Sequence, residues 1–508
     1  MTGALKFGFL DSSVLIGYIL VLASIGWWAA RRTSKTTEDY FLANRSINWL
    51  VTSASFMATC ISALTFVGTP SEGYSADYRY LLSNPGDIAA VFFIALVFLP
   101  HFQKLRVTSI YQAVAERFGP RARTICSAYF LITRTLASTV RIVAIAKVLE
   151  VVTGGGLSYQ GCVCVVVFGI LAYTTIGGGR AIAWTDLLQF TLLISGATAA
   201  LVYIVAHVPG GIPAIVDYGS HAVRADGTIY NKFNFLEMFK PDNLALLGLM
   251  TVWGFFNSSA AYGTDQDMVQ RLLACNNNRK AGWSLILTGV LGIPIAFLFL
   301  SIGVALYAYA HVHPELVAGM TDNDHVFPRF ILTVMPHGLR GLLLAAVASA
   351  AMGSADSALA SLSTAFTMDF YKPFFGKGSS EARTVMVSRL SFVGFGFLFL
   401  IFALALRNLD NLLWLAFRLV SFTYGPLLGI FAVTIMTDWK LSFKKVLPLM
   451  LIPTAATFGL SMLAWWMSAH SGGAFWAGLH KTYWRFYIIF GALFVPAGAY
   501  LLRENKPA

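Results

Sequence analysis

The sequence predicts an all-α polytopic membrane protein of about 13 transmembrane helices. Three observations carry that expectation. Of 508 residues, 57% are hydrophobic and 12% charged, with a mean hydropathy of +0.68, whereas a soluble chain carries about a quarter charged residues. Apolar segments of 20 or more residues recur along the whole length, each long enough to cross ~30 Å of hydrocarbon. With the N-terminus outside, the segments placed inside hold about 22 of the 36 Lys and Arg residues and those outside about 10, as the positive-inside rule requires. The +12 charge is therefore a topology signal, and no nucleic-acid partner is implied.

Taken in order, the expected spans are 10–30, 47–74, 80–103, 123–153, 158–177, 181–206, 242–270, 281–308, 339–367, 387–406, 410–436, 446–468 and 482–502. The first is followed by Arg31 and Arg32 and lacks a small-residue cleavage site, so it reads as a retained helix and not a signal peptide. The C-terminus falls inside. The outer loops 207–241 and 309–338 are too short and polar for a core of their own, which leaves one membrane domain, 1–508. Five cysteines, an odd number scattered in or near apolar segments, indicate neither a disulfide framework nor a metal site. No nucleophile–base constellation is visible, so no enzyme is expected.

The second span is interrupted by ATCISALTFVGTPSEGY at 58–74 and the seventh by GFFNSSAAYGTDQ at 254–266. Breaks at matching positions five spans apart point to inverted repeats, 47–206 and 242–436. One extra helix, 10–30, precedes the repeats and two accessory helices, 446–502, follow them. An unwound helix frees carbonyls near Ala58 and Ile61, and such hard oxygens suit an alkali cation. AAVASAAMGSADSALAS at 345–361 supplies a facing stripe, with Ala350, Ser354 and Ser357 at i, i+4 and i+7. Small residues also permit close packing, but that does not explain Asp356, because a carboxylate near the bilayer interior is costly and marks function.

Asp186, in GGGRAIAWTDLLQ at 177–189, has two readings: an interfacial partner for Arg180, or a cation ligand facing the bundle. Arg134 and Arg141 lie near mid-membrane, seven residues apart on one face. Two buried cations demand anions, either carboxylates such as Asp87, Asp186 and Asp356 or the carboxylate of a substrate. Lys147 and Glu150 are spaced to pair at i, i+3. TDQDMVQRLLACNN at 264–277 is either a solvated helix-end charge cluster or a cytoplasmic latch.

These motifs together resemble the sodium:solute symporter family, whose members include bacterial proline and sialic acid symporters and animal sodium/glucose transporters. The match runs from EDYFLANRSINW at 38–49 to the eleventh span, through ISALTFVGTPSE, GGGRAIAWTDLLQ, TDQDMVQRLL and SADSALASLSTAFTMDFY. The resemblance implies a leucine-transporter-type core and Na⁺-driven solute uptake by alternating access. It implies a main sodium site from the carbonyls of Ala58, Ile61 and Ala350 with the hydroxyl of Ser354. Many relatives carry a hydroxyl residue where this chain has Gly353. A second sodium site would match Asp186, Asp356 and Ser357. The implied substrate pocket comprises Ser62, Thr65, Tyr80, Asn84, Ser258 and Ala261. A gap-free match puts Ala137 at the position of the sialic acid symporters' carboxylate-binding arginine, with Arg134 and Arg141 flanking it on the same face.

The expectation is a sodium-coupled symporter in a bacterial inner membrane, importing a small organic, carboxylate-bearing solute. Proton coupling on the same fold is the first alternative, prompted by Gly353 and Asp356. A transport-derived membrane sensor is the second.

Overall fold

The computed structural model describes residues 8–33, 36–153, 156–224, 227–234, 244–320, 322–407, 412–471, 476 and 484–503. The expected starts of the seventh, eleventh and thirteenth spans, at 242, 410 and 482, lie outside these residues, as does most of the C-terminal tail. Among the described residues, ten helices are long and apolar enough to cross a membrane, and eleven if one bent pair is counted as a span.

We number the helices α1 (Phe9–Arg32), α2 (Trp49–Cys60), α3 (Ala63–Ser75), α4 (Tyr78–Leu105), α5 (Pro120–Val152), α6 (Tyr159–His207) and α7 (Leu244–Thr264). They continue as α8 (Gln266–Leu273), α9 (Asn278–Val312), α10 (Leu339–Phe366), α11 (Glu381–Ala405), α12 (Leu412–Met436), α13 (Phe443–Ser471) and α14 (Arg485–Leu502). The bent pair is α2 and α3, whose axes meet at 58°. The expected fifth and sixth spans run together as α6, kinked at Gly178, where φ is +59°. A side chain at Gly178 would also meet the Tyr40 carbonyl at 2.6 Å, so the turn and the close approach both require glycine. The segment before that kink, Tyr159–Ala172, is apolar but shorter than a full span.

Burial sorts the helices into a core and a lipid-facing rim. α10 is buried along nearly its whole length, which its Ala, Gly and Ser content allows by letting neighbouring backbones approach. α1, α11 and α13 expose Leu20 and Trp27, Leu390 and Ile401, and Leu451 and Trp465, as surfaces wetted by acyl chains do. α1 is not a loose appendage. The buried Asp11 carboxylate reaches α10, accepting the backbone N–H groups of Gly338 at 2.8 Å and Gly341 at 3.0 Å and the His337 ring nitrogen at 2.6 Å. Gly338 precedes α10 and has no side chain to cap it, so Asp11 serves as the helix cap from a different helix.

The loop after α6 folds over the end of α3. It contributes a short helix, Gly211–Ser220, and a two-residue hairpin pairing Ala222 with Tyr230. The buried ammonium of Lys232 donates to the carbonyls of Tyr74 at 2.7 Å and Ala76 at 2.9 Å, capping orphan carbonyls at the end of α3. Burial pulls that ammonium down to about 8, against the opposing pull of Asp77 and Glu72.

Candidate functional site

The interruption at 61–62 has a local cause and a chemical result. Ile61 and Ser62 adopt extended backbone, with ψ of 94° and 177°. The ladder of α2 closes with the Ile61 N–H donating to the Met57 carbonyl, and the ladder of α3 opens at the Ser62 carbonyl, which accepts from Thr65 and Phe66. The carbonyls from Ala58 to Ile61 lie between the two ladders, as those at any helix end do. Ala58, Ile61, Ala350 and Ser354 are all buried. The Ser354 hydroxyl lies 3.2 Å from the Ala350 carbonyl. The second interruption sits at the far end of the stretch expected to hold it: α7 runs unbroken through Asn257 and Ser258 to Thr264, and only Asp265 leaves the helix, capping α8 through Asp267 N–H at 2.9 Å. Its polar residues are accommodated because they face a cavity and not lipid.

That cavity measures about 240 Å³. Ser62, Thr65, Tyr80, Asn84, Arg134, Arg141, Ser258 and Ala261, all singled out from the sequence, line it, together with Ile61 and Ala137. Two glycines build one wall. A Cβ on Gly86 would fall 1.9 Å from the Thr251 carbonyl and one on Gly254 2.3 Å from the Ser83 carbonyl, so α4 and α7 touch backbone to backbone. This contact brings the Ser258 hydroxyl to Asp87 Oδ1 at 2.6 Å, while Ser83 donates to Oδ2 at 3.3 Å.

The two mid-membrane arginines have different surroundings. Arg134 pairs with Asp265 at 3.2 Å and closely with Asp267, and Tyr424 donates to the same Asp265 oxygen at 2.6 Å. Arg141 forms no ion pair among the described residues, and its buried Nε and Nη1 have no hydrogen-bond partner. A guanidinium in that position leaves directional donors aimed at an absent acceptor.

On α8, Arg271 gathers a second polar group. Its guanidinium lies 2.8 Å from Asp267 and 3.4 Å from Asp186 and donates to the Ser357 hydroxyl. Ser55 donates to Asp186 at 2.5 Å. The solvated reading of TDQDMVQRLL fails, since Asp265, Gln266 and Asp267 are buried, the two aspartates ion-paired to Arg134 of another helix and Gln266 hydrogen-bonded to the backbone of Thr108 and Ile110. The pairing of Asp186 with Arg180 is likewise corrected: Arg180 pairs with Asp39 at 3.2 Å, which frees Asp186 to face the bundle. Glu150 takes Arg407 at 3.3 Å.

The sodium:solute symporter family matches residues 40–440. This chain belongs to the sodium:solute symporter family. It is 28% identical to a sodium/sialic acid symporter of Proteus mirabilis over 84% of this chain and 85% of that one. It is 28% identical to a sodium/glucose cotransporter of Vibrio parahaemolyticus over 76% and 73%, and to human sodium-coupled monocarboxylate transporter 1 over 87% and 71%. The fold is that of a solved Na⁺-coupled sialic acid symporter, with a TM-score of 0.83 at 24% identity over 98% of this chain and all of that one. Membership establishes a membrane transporter that couples Na⁺ to the movement of an organic solute, with no catalytic step.

Within this family member, sequence reasoning missed Gln189 and Ser55. Both are buried. A Cβ on Gly353 would lie 2.5 Å from Gln189 Oε1 and 3.4 Å from Asp186 Oδ1, and neither oxygen has a hydrogen-bond partner among the described residues. The space beside Gly353 is thus approached by an amide oxygen from α6. An Asp and a Gln three apart, on one face of an apolar span, were the available signal.

Proposed function

We propose that this symporter imports a small carboxylate-bearing solute, held by Arg141, with Na⁺ bound between the α2–α3 break and α10. The observation that carries the reading is the contrast between the two arginines: Arg134 is neutralised by two aspartates, whereas Arg141 faces the cavity with bare donors. Carboxylate is the anion whose geometry meets a guanidinium fork. Ala58, Ile61, Ala350 and Ser354 supply the sodium site, and Ser62, Thr65, Tyr80, Asn84, Ser258 and Ala261 surround the solute. At Asp186, Asp356 and Ser357 the guanidinium of Arg271 already supplies a positive charge, which supports a tethered cation there in place of a second Na⁺.

Sodium favours the conformation in which α2 and α10 share its ligands, and the solute binds beside the same break. Each ligand raises the other's affinity by the same factor. The thirteen-span, leucine-transporter-type arrangement with inverted repeats 47–206 and 242–436 fits this scheme, with the N-terminus outside and the C-terminus cytoplasmic in a bacterial inner membrane. Uptake of radiolabelled carboxylic acids into proteoliposomes tests the reading. Accumulation should follow an inward Na⁺ gradient and vanish in Arg141→Met. Accumulation that follows a pH gradient with Na⁺ absent would assign coupling to protons.

A further inference from the structure

Arg141 is one charged pole of the cavity, and Asp87 is the other. Asp87 stands in the first turn of the regular helix Asn84–Phe93, where the N-terminal end of the helix dipole favours a negative charge. Ser83 and Ser258 each donate to one of its oxygens, which leaves lone pairs of a four-site acceptor uncommitted. Among the described residues it has no cationic partner. Arg134, which lines the same cavity, is committed to Asp265 and Asp267. An ionised carboxylate so placed is costly until a cation meets it.

We propose that the solute is a small zwitterion of amino-acid type, its carboxylate on Arg141 and its ammonium on Asp87. This rests on the carboxylate reading of Arg141 and adds the second pole. A zwitterion is the ligand that neutralises both charges at once, whereas a simple carboxylate leaves Asp87 uncompensated and a simple amine leaves Arg141 so. The volume of about 240 Å³ admits an amino acid. Trp253, Phe417 and Tyr262 line the same cavity, and such rings offer broad apolar contact to a side chain. With both poles occupied, the only net charge the transport step carries inward is that of Na⁺.

The experiment uses the purified full-length protein in nanodiscs at saturating Na⁺, with binding read by thermal shift and by displacement titration. The probes are three triads, each an amino acid, its des-amino acid and its decarboxylated amine: alanine, propionate and ethylamine; leucine, 4-methylpentanoate and 3-methylbutylamine; phenylalanine, 3-phenylpropionate and 2-phenylethylamine. In at least one triad the amino acid should bind at least tenfold more tightly than either truncated partner. Asp87→Asn should erase that preference by weakening the amino acid while sparing the des-amino acid. Tighter or equal binding of des-amino acids to the wild-type protein overturns the zwitterion and leaves the carboxylate reading standing. Binding of the amines alone overturns both. Failure of all nine compounds to bind overturns the assignment of an amino-acid-sized zwitterion. The wild-type series decides the question even if Asp87→Asn does not fold.

Discussion

Replacing each mid-membrane arginine by methionine separates scaffold from substrate contact. Arg134 is about 3% exposed and is the shared partner of two buried carboxylates. Removing it strands Asp265 in a low-dielectric interior and leaves Asp267 to Arg271 alone, a loss on the order of 3–5 kcal/mol for breaking a buried pair from one side. Unfolding entropy of roughly 2.1 cal/mol/K per residue gives a chain of this length about 1 kcal/mol/K, so Arg134→Met should lower the apparent Tm by about 3–5 °C. Arg141→Met removes a cation with no ion-pair partner among the described residues, and its stability should hold within about 1 kcal/mol or rise as the desolvation penalty disappears. Solute binding should respond oppositely: Arg141→Met abolishes recognition of any carboxylate, while Arg134→Met retains it in whatever fraction remains folded. Thermal unfolding in detergent, read by intrinsic fluorescence alongside ligand-induced stabilisation, measures both quantities. Equal destabilisation by the two substitutions, or undiminished anion binding in Arg141→Met, would refute the division of labour.

Ser354→Ala should reduce Na⁺-dependent stabilisation severalfold while leaving the Na⁺-free protein within about 1 kcal/mol of wild type, as a Na⁺ titration of the apparent Tm would show. Gly353→Ser places a Cβ 2.5 Å from Gln189 Oε1, so the amide must move. Its Na⁺ affinity should change, and a matched Gln189→Ala background should cancel part of that change in a double-mutant cycle. Asp11→Ala uncaps α10 and should cost about 1–2 kcal/mol, readable as faster hydrogen exchange of the N–H groups of Gly338 and Gly341. Burial holds the Lys232 ammonium at about 8, below its unfolded value near 10.5. The folded form therefore releases its proton first, and stability should rise with pH between about 8 and 10 relative to Lys232→Met, by at most about 3 kcal/mol. A difference that stays flat across that window would contradict the assigned burial.

Much of the architecture was legible because hydropathy and basic-residue placement report the solvent on each side of a helix. The break at 61–62 was equally readable, since Ser, Thr, Gly and Pro inside an apolar span have few other uses. The cavity residues followed from the motifs they occupy. Pairings across helices did not. Arg134 with Asp267, Asp186 with Ser55 and Asp87 with Ser258 join residues 133, 131 and 171 positions apart. No periodicity encodes such contacts, and each arginine in isolation had several aspartates to choose from. The second interruption falls at Asp265, the far end of its expected stretch, because Asn257 and Ser258 line a cavity and need no unwinding there. Gln189 escaped notice because an amide in a span reads as one more polar residue until Gly353 leaves room for it.

The bond from Asp11 to the start of α10 makes the N-terminal helix a lever with its fulcrum on the rod proposed to hold sodium. Any rocking of that rod during transport must either carry α1 along or tear three hydrogen bonds at its N-terminal end. On the proposed ion site, truncations, fusion tags or lipids that grip α1 should therefore change sodium occupancy from a distance, through the contact of Asp11 with Gly338 and Gly341.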